Sequence, residues 1–164
     1  MTRFLAIPET DLEPLATVLN TLRLEALGDN RYRGRNLSQL GGRVYGGQVL
    51  AQATMVAADT LPAAEDRLVN SITAAFLSPG AIDSPTDFEV AELNDGRSFS
   101  TRTVNAIQNG RIIFASRISA QLHQPGPSFG SPQPEAPDPE TLPSSVDFFA
   151  SLNDPRGHIM STTN

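Results

Sequence analysis

Asn109-Gly110 does more than any other feature to limit what this chain can fold into. A two-residue type I′ turn needs positive φ at both central residues, and Asn-Gly supplies that more readily than almost any other dipeptide. On either side lie stretches that alternate in period 2, "FSTRTVNAIQ" and "RIIFASRISAQL". They predict an antiparallel hairpin over 97–108 and 111–122. Pairing outward from the turn sets Ile107 opposite Ile112, Asn105 opposite Phe114, Thr101 opposite Ile118 and Phe99 opposite Ala120, the side expected to face a core. The other side pairs Ala106 with Ile113, Val104 with Ala115 and Arg102 with Arg117.

Upstream the period changes. In "YGGQVLAQATMVAAD" at 45–59, Val49, Ala53, Val56 and Ala57 recur at helical spacing, so a helix is expected over 46–60, ending before Pro62. Its apolar face is thin, which lets a sheet approach closely. Residues 67–77 and 86–93 read as further strands, closed by the turns "SPG" at 78–80 and "NDG" at 94–96. A shorter helix is expected over 10–22, capped by Thr10 or Asp11, with Leu15, Val18, Leu19 and Leu22 on one stripe. Residues 23–36 flank "GDN" and fit two short strands. Residues 125–143 hold seven of the thirteen prolines and read as linker rather than core. The economical packing is α+β: one helix wrapped by a curved antiparallel sheet. Three segments are expected: a domain over 1–124, a linker over 125–145, and a tail or the start of a second unit over 146–164.

Composition removes several functions. Twelve arginines, no lysine and eighteen acids give a net charge of −6, which argues against nucleic-acid binding. No apolar run approaches the length that spans a bilayer, and a cytoplasmic setting is expected. With no cysteine there is no disulfide, thiol nucleophile or thiolate metal site. The two histidines, His123 and His158, lie far apart, so no metal site is expected.

The candidate chemistry centres on Gly46, Gly47 and Gln48. A helix N-terminus carries unpaired N–H groups and partial positive charge, and glycines let a ligand approach that backbone. Such a start suits a carbonyl that becomes an oxyanion, or a phosphate; a tight loop before a buried helix explains the same residues. Arg102 opposite Arg117 calls for a compensating acid, either a partner carboxylate or a ligand phosphate. "GPSFG" at 126–130 matches the G-x-S-x-G pattern, but Pro127 and the prolines that follow forbid the strand–turn–helix that a nucleophile elbow requires. Glu89, Glu92 and Asp95 alternate with apolar residues and read as a solvated strand face.

Taken together, "YGGQVLAQATMVAA", "RLVNSITAAFLSPG" and "DGRSFSTRTVNAIQNGRIIFASRISAQ" resemble the N-terminal half of the acyl-CoA thioesterase II family, a double-hotdog family. "RYRGRN" before the helix fits as well. The resemblance covers roughly 20–124. It implies a hotdog fold, hydrolysis of fatty acyl-CoA to acid and CoA, no metal or organic cofactor, and a second hotdog or a second copy as partner. It carries over Gly46, Gly47, Gln48 and Arg102 as substrate-binding positions, with Asn70 as a hydrogen-bonding residue. The family's catalytic Asp, Thr or Ser, and Gln belong to the second hotdog, so none can be assigned to this chain. Asn70 and Thr73 stand where relatives commonly have His, and neither can act as a base. Two further readings stay open: a non-catalytic acyl-CoA-binding or dimerisation module, and a hotdog dehydratase relying on His123.

Overall fold

A computed structural model describes residues 13–38, 41–63, 66–144, 147–148 and 151. Residues up to Pro125 make one compact unit and those from Gly126 another. In the second, a 3₁₀ turn spans Pro139–Thr141, and the Asp138 side chain accepts the Glu140 N–H. "GPSFG" is irregular, with Phe129 almost fully exposed. Part of the tail expected over 146–164 lies outside the described residues.

The first unit contains helix α1 (Leu15–Thr21), strands β1 (Glu25–Gly28) and β2 (Arg31–Gly34), helix α2 (Gly46–Asp59), and strands β3 (Arg67–Phe76), β4 (Thr86–Asp95), β5 (Phe99–Gln108) and β6 (Arg111–Leu122). All pairings are antiparallel, in the order β1-β2-β4-β5-β6-β3. Asp29 and Asn30 take positive φ in the turn expected at "GDN", and Asn109 and Gly110 do so in the β5–β6 hairpin. No helix among the described residues is long and apolar enough to cross a membrane.

The core forms where α2 lies on the sheet. Val49, Ala53, Val56 and Ala57 are buried, as their spacing predicts. They pack with Tyr32, Phe88, Val90, Val104, Ala106, Ile113, Phe114 and Ile118. Alanines on the helix leave room for the phenylalanines of the sheet, so volume is filled from the strand side.

Two expectations fail. Ile107 does pair with Ile112, but Ala106 pairs with Phe114, leaving Ile113 as a bulge. One extra residue on β6 flips the facing of β5 relative to it. The buried side of β5 is therefore Ser100, Arg102, Val104, Ala106 and Gln108, the side expected to be outward. The same slip separates the two arginines: Arg102 stands opposite Ile118, and Arg117 opposite Thr103. The second failure is α1. Residues 10–12 lie outside the described residues, and the helix begins after Pro14. Leu15 and Val18 are exposed, so its stripe does not join the core.

Candidate functional site

α2 begins without a side-chain cap. Tyr45 occupies the N-cap position in extended conformation, and its carbonyl accepts the N–H groups of Gln48 and Val49. The Gly46 and Gly47 N–H groups have no hydrogen-bond partner among the described residues. Two donors are thus left at the positive end of a 14-residue helix.

The glycines also answer a steric need. A Cβ on Gly46 would lie 3.0 Å from the Phe76 ring, and one on Gly47 would lie 2.4 Å from the Tyr45 ring. Both aromatic side chains are about 60% exposed, so two rings flank the helix start without being packed away.

Beside this start lies a cleft of about 370 Å³, at the small end of ligand-sized cavities. Val44, Gly46 and Val49 form one wall, Ile113 and Phe114 another, and Phe76 through Gly80 a third. The β6 bulge makes this wall, because it turns the consecutive residues Ile113 and Phe114 both inward. The Ile113 carbonyl accepts the N–H groups of Leu77 and Ser78, and the Gly80 carbonyl accepts that of Val44, which ties the third wall to the other two. Gln108, also buried, braces the same turn: its amide bonds both the N–H and the carbonyl of Ala81, the Ser84 carbonyl and the Thr86 hydroxyl. Among the described residues, no Asp, Glu or His lines the cleft.

Gln48 sits on the buried side of the same helix turn, and its polar atoms are occupied. Oε1 accepts the Leu37 N–H, while Nε2 donates to the Arg35 carbonyl and the Asn36 side chain. Gln52, fully buried one turn on, also donates to the Arg35 carbonyl. Together the two glutamines pin residues 35–37 against the helix.

Arg102 lies at the opposite end of α2. It is 1% exposed and donates to the Thr60 hydroxyl and carbonyl, the carbonyls of Asn94 and Thr101, and Asp95. Glu92 stands 3.3 Å away. Asp95 and Glu92, expected on a solvated face, are thus the acids that Arg102 requires. A cation at a helix C-terminus also meets the negative end of its dipole. Burial raises the Asp95 pKa, but hydrogen bonds from Ser100 and Arg102, and the charges of Arg102 and Arg67, outweigh it and hold the carboxyl below its ordinary value. Arg67, equally buried, donates to Ser100 and to the Gly96 carbonyl.

The structure therefore brings together Gly46, Gly47 and Gln48 and separates them from the other two positions. Arg102 is a helix length away, about 20 Å at 1.5 Å per residue. Asn70 lies on β3 six residues before Phe76, again about 20 Å along a strand. It is exposed, beside a bulge, and donates to Gln121. His123 is exposed beyond the end of β6 and does not line the cleft. Among the described residues, no three His, Cys, Asp or Glu side chains gather as metal ligands would. Sequence reasoning missed Phe76, Ile113 and the turn through Gly80 as site walls. The bulge leaves no mark in hydrophobic periodicity, whereas the "SPG" turn is visible in the sequence.

An α+β unit with a bare helix start over an apolar cleft is the class of protein that fold and site define. Residues 35–121 match the family model described as acyl-CoA thioesterase N-terminal domain, and the chain belongs to that family. It is 35% identical over 146 residues to mouse acyl-coenzyme A thioesterase 8, covering 86% of this chain and 44% of the relative. It is 37% identical over 127 residues to acyl-CoA thioesterase 2 of Haemophilus influenzae, covering 77% and 43%. Among solved structures, the tesB protein of Mycobacterium avium subs. paratuberculosis superposes with a TM-score of 0.69 at 36% identity, over 83% of this chain and 50% of that one. The chain spans about half the length of the relatives it matches.

Proposed function

We propose that this chain is the first hotdog of a double-hotdog acyl-CoA thioesterase, supplying the acyl cleft and the oxyanion-stabilising backbone. The carrying observation is that the Gly46 and Gly47 N–H groups, at the edge of a largely apolar cleft, have no hydrogen-bond partner among the described residues. A thioester carbonyl directed at that helix start would have its developing negative charge met by two fixed donors and the helix dipole. The acyl chain would run along Val44, Ile113 and Phe114. Water attacks the carbonyl carbon, the tetrahedral oxyanion collapses, and CoA leaves as the thiol with a proton from water or from a general acid.

A general base is needed to activate that water, and none of the described residues lining the cleft offers one. In this reading the base comes from a second hotdog. The half-length match supports that division of labour. So does β3, a ten-residue edge strand on which Leu68 and Ile72 are exposed. An apolar open edge of that length invites pairing, and a second hotdog or second copy would cover it. Asn70 would then meet the partner, Gln48 would position the helix start, and Arg102 would fasten the far end of the helix. The expected cytoplasmic setting belongs to the same proposal.

The test is CoA release from a long-chain acyl-CoA, followed with a thiol-trapping dye. This chain has no cysteine, so with it alone the dye reports only CoA. The expected result is release when the family's second domain, with its own cysteines replaced, is joined to this chain, and a loss when Gly47→Ala is introduced. Joined protein that folds and binds acyl-CoA yet releases none would overturn the proposal.

A further inference from the structure

Phe76 has an environment that core packing does not account for. Its cross-strand partner is Phe114, which is fully buried, so both side chains project from the helix-facing side of the sheet. Phe76 nevertheless remains 60% exposed. Its ring meets that of Phe114 at 5.1 Å between centroids and 56° between planes, a tilted contact of the favourable kind. Its other neighbour is the helix start itself, where the absence of a side chain on Gly46 leaves room for the ring. One edge of the ring therefore touches the cleft floor, another touches the backbone that carries the free donors, and the rest faces out.

Resting on the thioesterase reading, we propose that Phe76 is the residue that sets acyl-chain length, by closing the apolar cleft next to the helix start. The occupant it selects is the hydrocarbon chain of the thioester. The wall it completes is apolar except at Ser78, and the group it adjoins is the one that would hold the carbonyl. An acyl chain whose carbonyl lies at Gly46 must run past this ring, so ring size limits how many methylenes follow. The exposed ring can rotate without leaving a buried hole, which makes the position tolerant of substitution.

The experiment measures binding of thioether analogues of acyl-CoA, from short to long chain, to the wild-type chain, Phe76→Leu and Phe76→Ala. Thermal unfolding of each variant checks folding, and light scattering checks assembly. The expected result is a progressive shift of the tightest-binding length toward longer chains, in the order Phe, Leu, Ala. The ratio of long-chain to short-chain affinity should change by about tenfold or more, the scale on which apolar pockets read one or two methylenes. Identical length profiles in all three proteins would overturn this inference and leave the thioesterase reading standing. A uniform loss at every length, accompanied by a change of assembly state, would also overturn it and make Phe76 an interface residue. Absence of wild-type binding at any length would overturn both.

Discussion

Replacing Arg102 by alanine removes the most heavily bonded side chain described in the structure. It is 1% exposed and donates to two side chains, Thr60 and Asp95, and to three carbonyls, those of Thr60, Asn94 and Thr101. Breaking a buried ion pair by removing one partner costs about 3–5 kcal/mol, because the remaining charge stays uncompensated. Here the remaining carboxylate, Asp95, is 35% exposed and recovers some hydration, so the lower end applies. The orphaned carbonyls add to the loss, yet their costs do not sum independently. The expected destabilisation is about 3 kcal/mol, a large fraction of the roughly 5–15 kcal/mol that holds a domain together. Urea unfolding followed by far-ultraviolet circular dichroism measures it, with the slope m expected to stay unchanged. In Asp95→Asn the same arginine should be worth less, since its strongest acceptor is weakened. At a temperature where the variant is folded, acyl-CoA affinity should match the wild type. A loss below about 1 kcal/mol, the value of an exposed ion pair, would refute the assignment of this network as the clamp on the end of α2. Lost affinity in a folded variant would return Arg102 to the substrate site.

Three further outcomes are expected. Gly47→Ala places a methyl where the Tyr45 ring lies, which the exposed ring can vacate, so stability should hold within about 0.5 kcal/mol while acyl-CoA affinity falls about tenfold; calorimetric titration and a melting curve separate the two. Asp95 and Asp87 are both depressed, Asp95 as above and Asp87 chiefly by its hydrogen bond from Arg33, so the stability they contribute is present above the ordinary carboxylate pKa and is lost as pH falls through their lower folded values. Urea midpoints should therefore decline below roughly pH 4, less steeply in Arg33→Ala or Asp95→Asn. Tyr32 is pushed up to about 12 by burial and by its hydrogen bond to Asp59, so its contribution is full below pH about 10 and is lost as pH rises through the folded value. A spectrophotometric titration should show one of the two tyrosines ionising late, and that step should vanish in Tyr32→Phe.

Much of the fold was legible in the sequence because its signals were local. Asn109-Gly110 and "GDN" announced their turns through backbone conformations that few residues accept. The small-residue stripe of α2 announced both its period and its buried face. Less visible was the β6 bulge: one unpaired residue, Ile113, reversed which side of β5 is buried and removed the expected meeting of Arg102 and Arg117. No periodicity records such an insertion, because Ile112, Ile113 and Phe114 are apolar in any register. The candidate site, itself a proposal, was legible only at its helix start. Gly46 and Gly47 stood out, but the roles of Gln48 and Arg102 depend on which atoms reach them in three dimensions. Gln48 is occupied by residues 35–37 and Arg102 by the far end of the helix. Phe76 was hidden for a different reason: among strand residues of similar character, only the proximity of Gly46 distinguishes it.

The most direct test of the bare helix start is a two-dimensional ¹H–¹⁵N spectrum of the 17.6 kDa chain, titrated with an acyl-CoA analogue whose thioester is replaced by an α,α-difluoromethylene ketone that keeps both the acyl chain and the CoA. Hydration of that ketone presents the oxygen geometry of the tetrahedral intermediate. The expected result is a large downfield movement of the Gly46 and Gly47 amide protons, larger than any movement at Asn70 or Arg102. Saturable binding that leaves the Gly46 and Gly47 amides in place would contradict the proposed site.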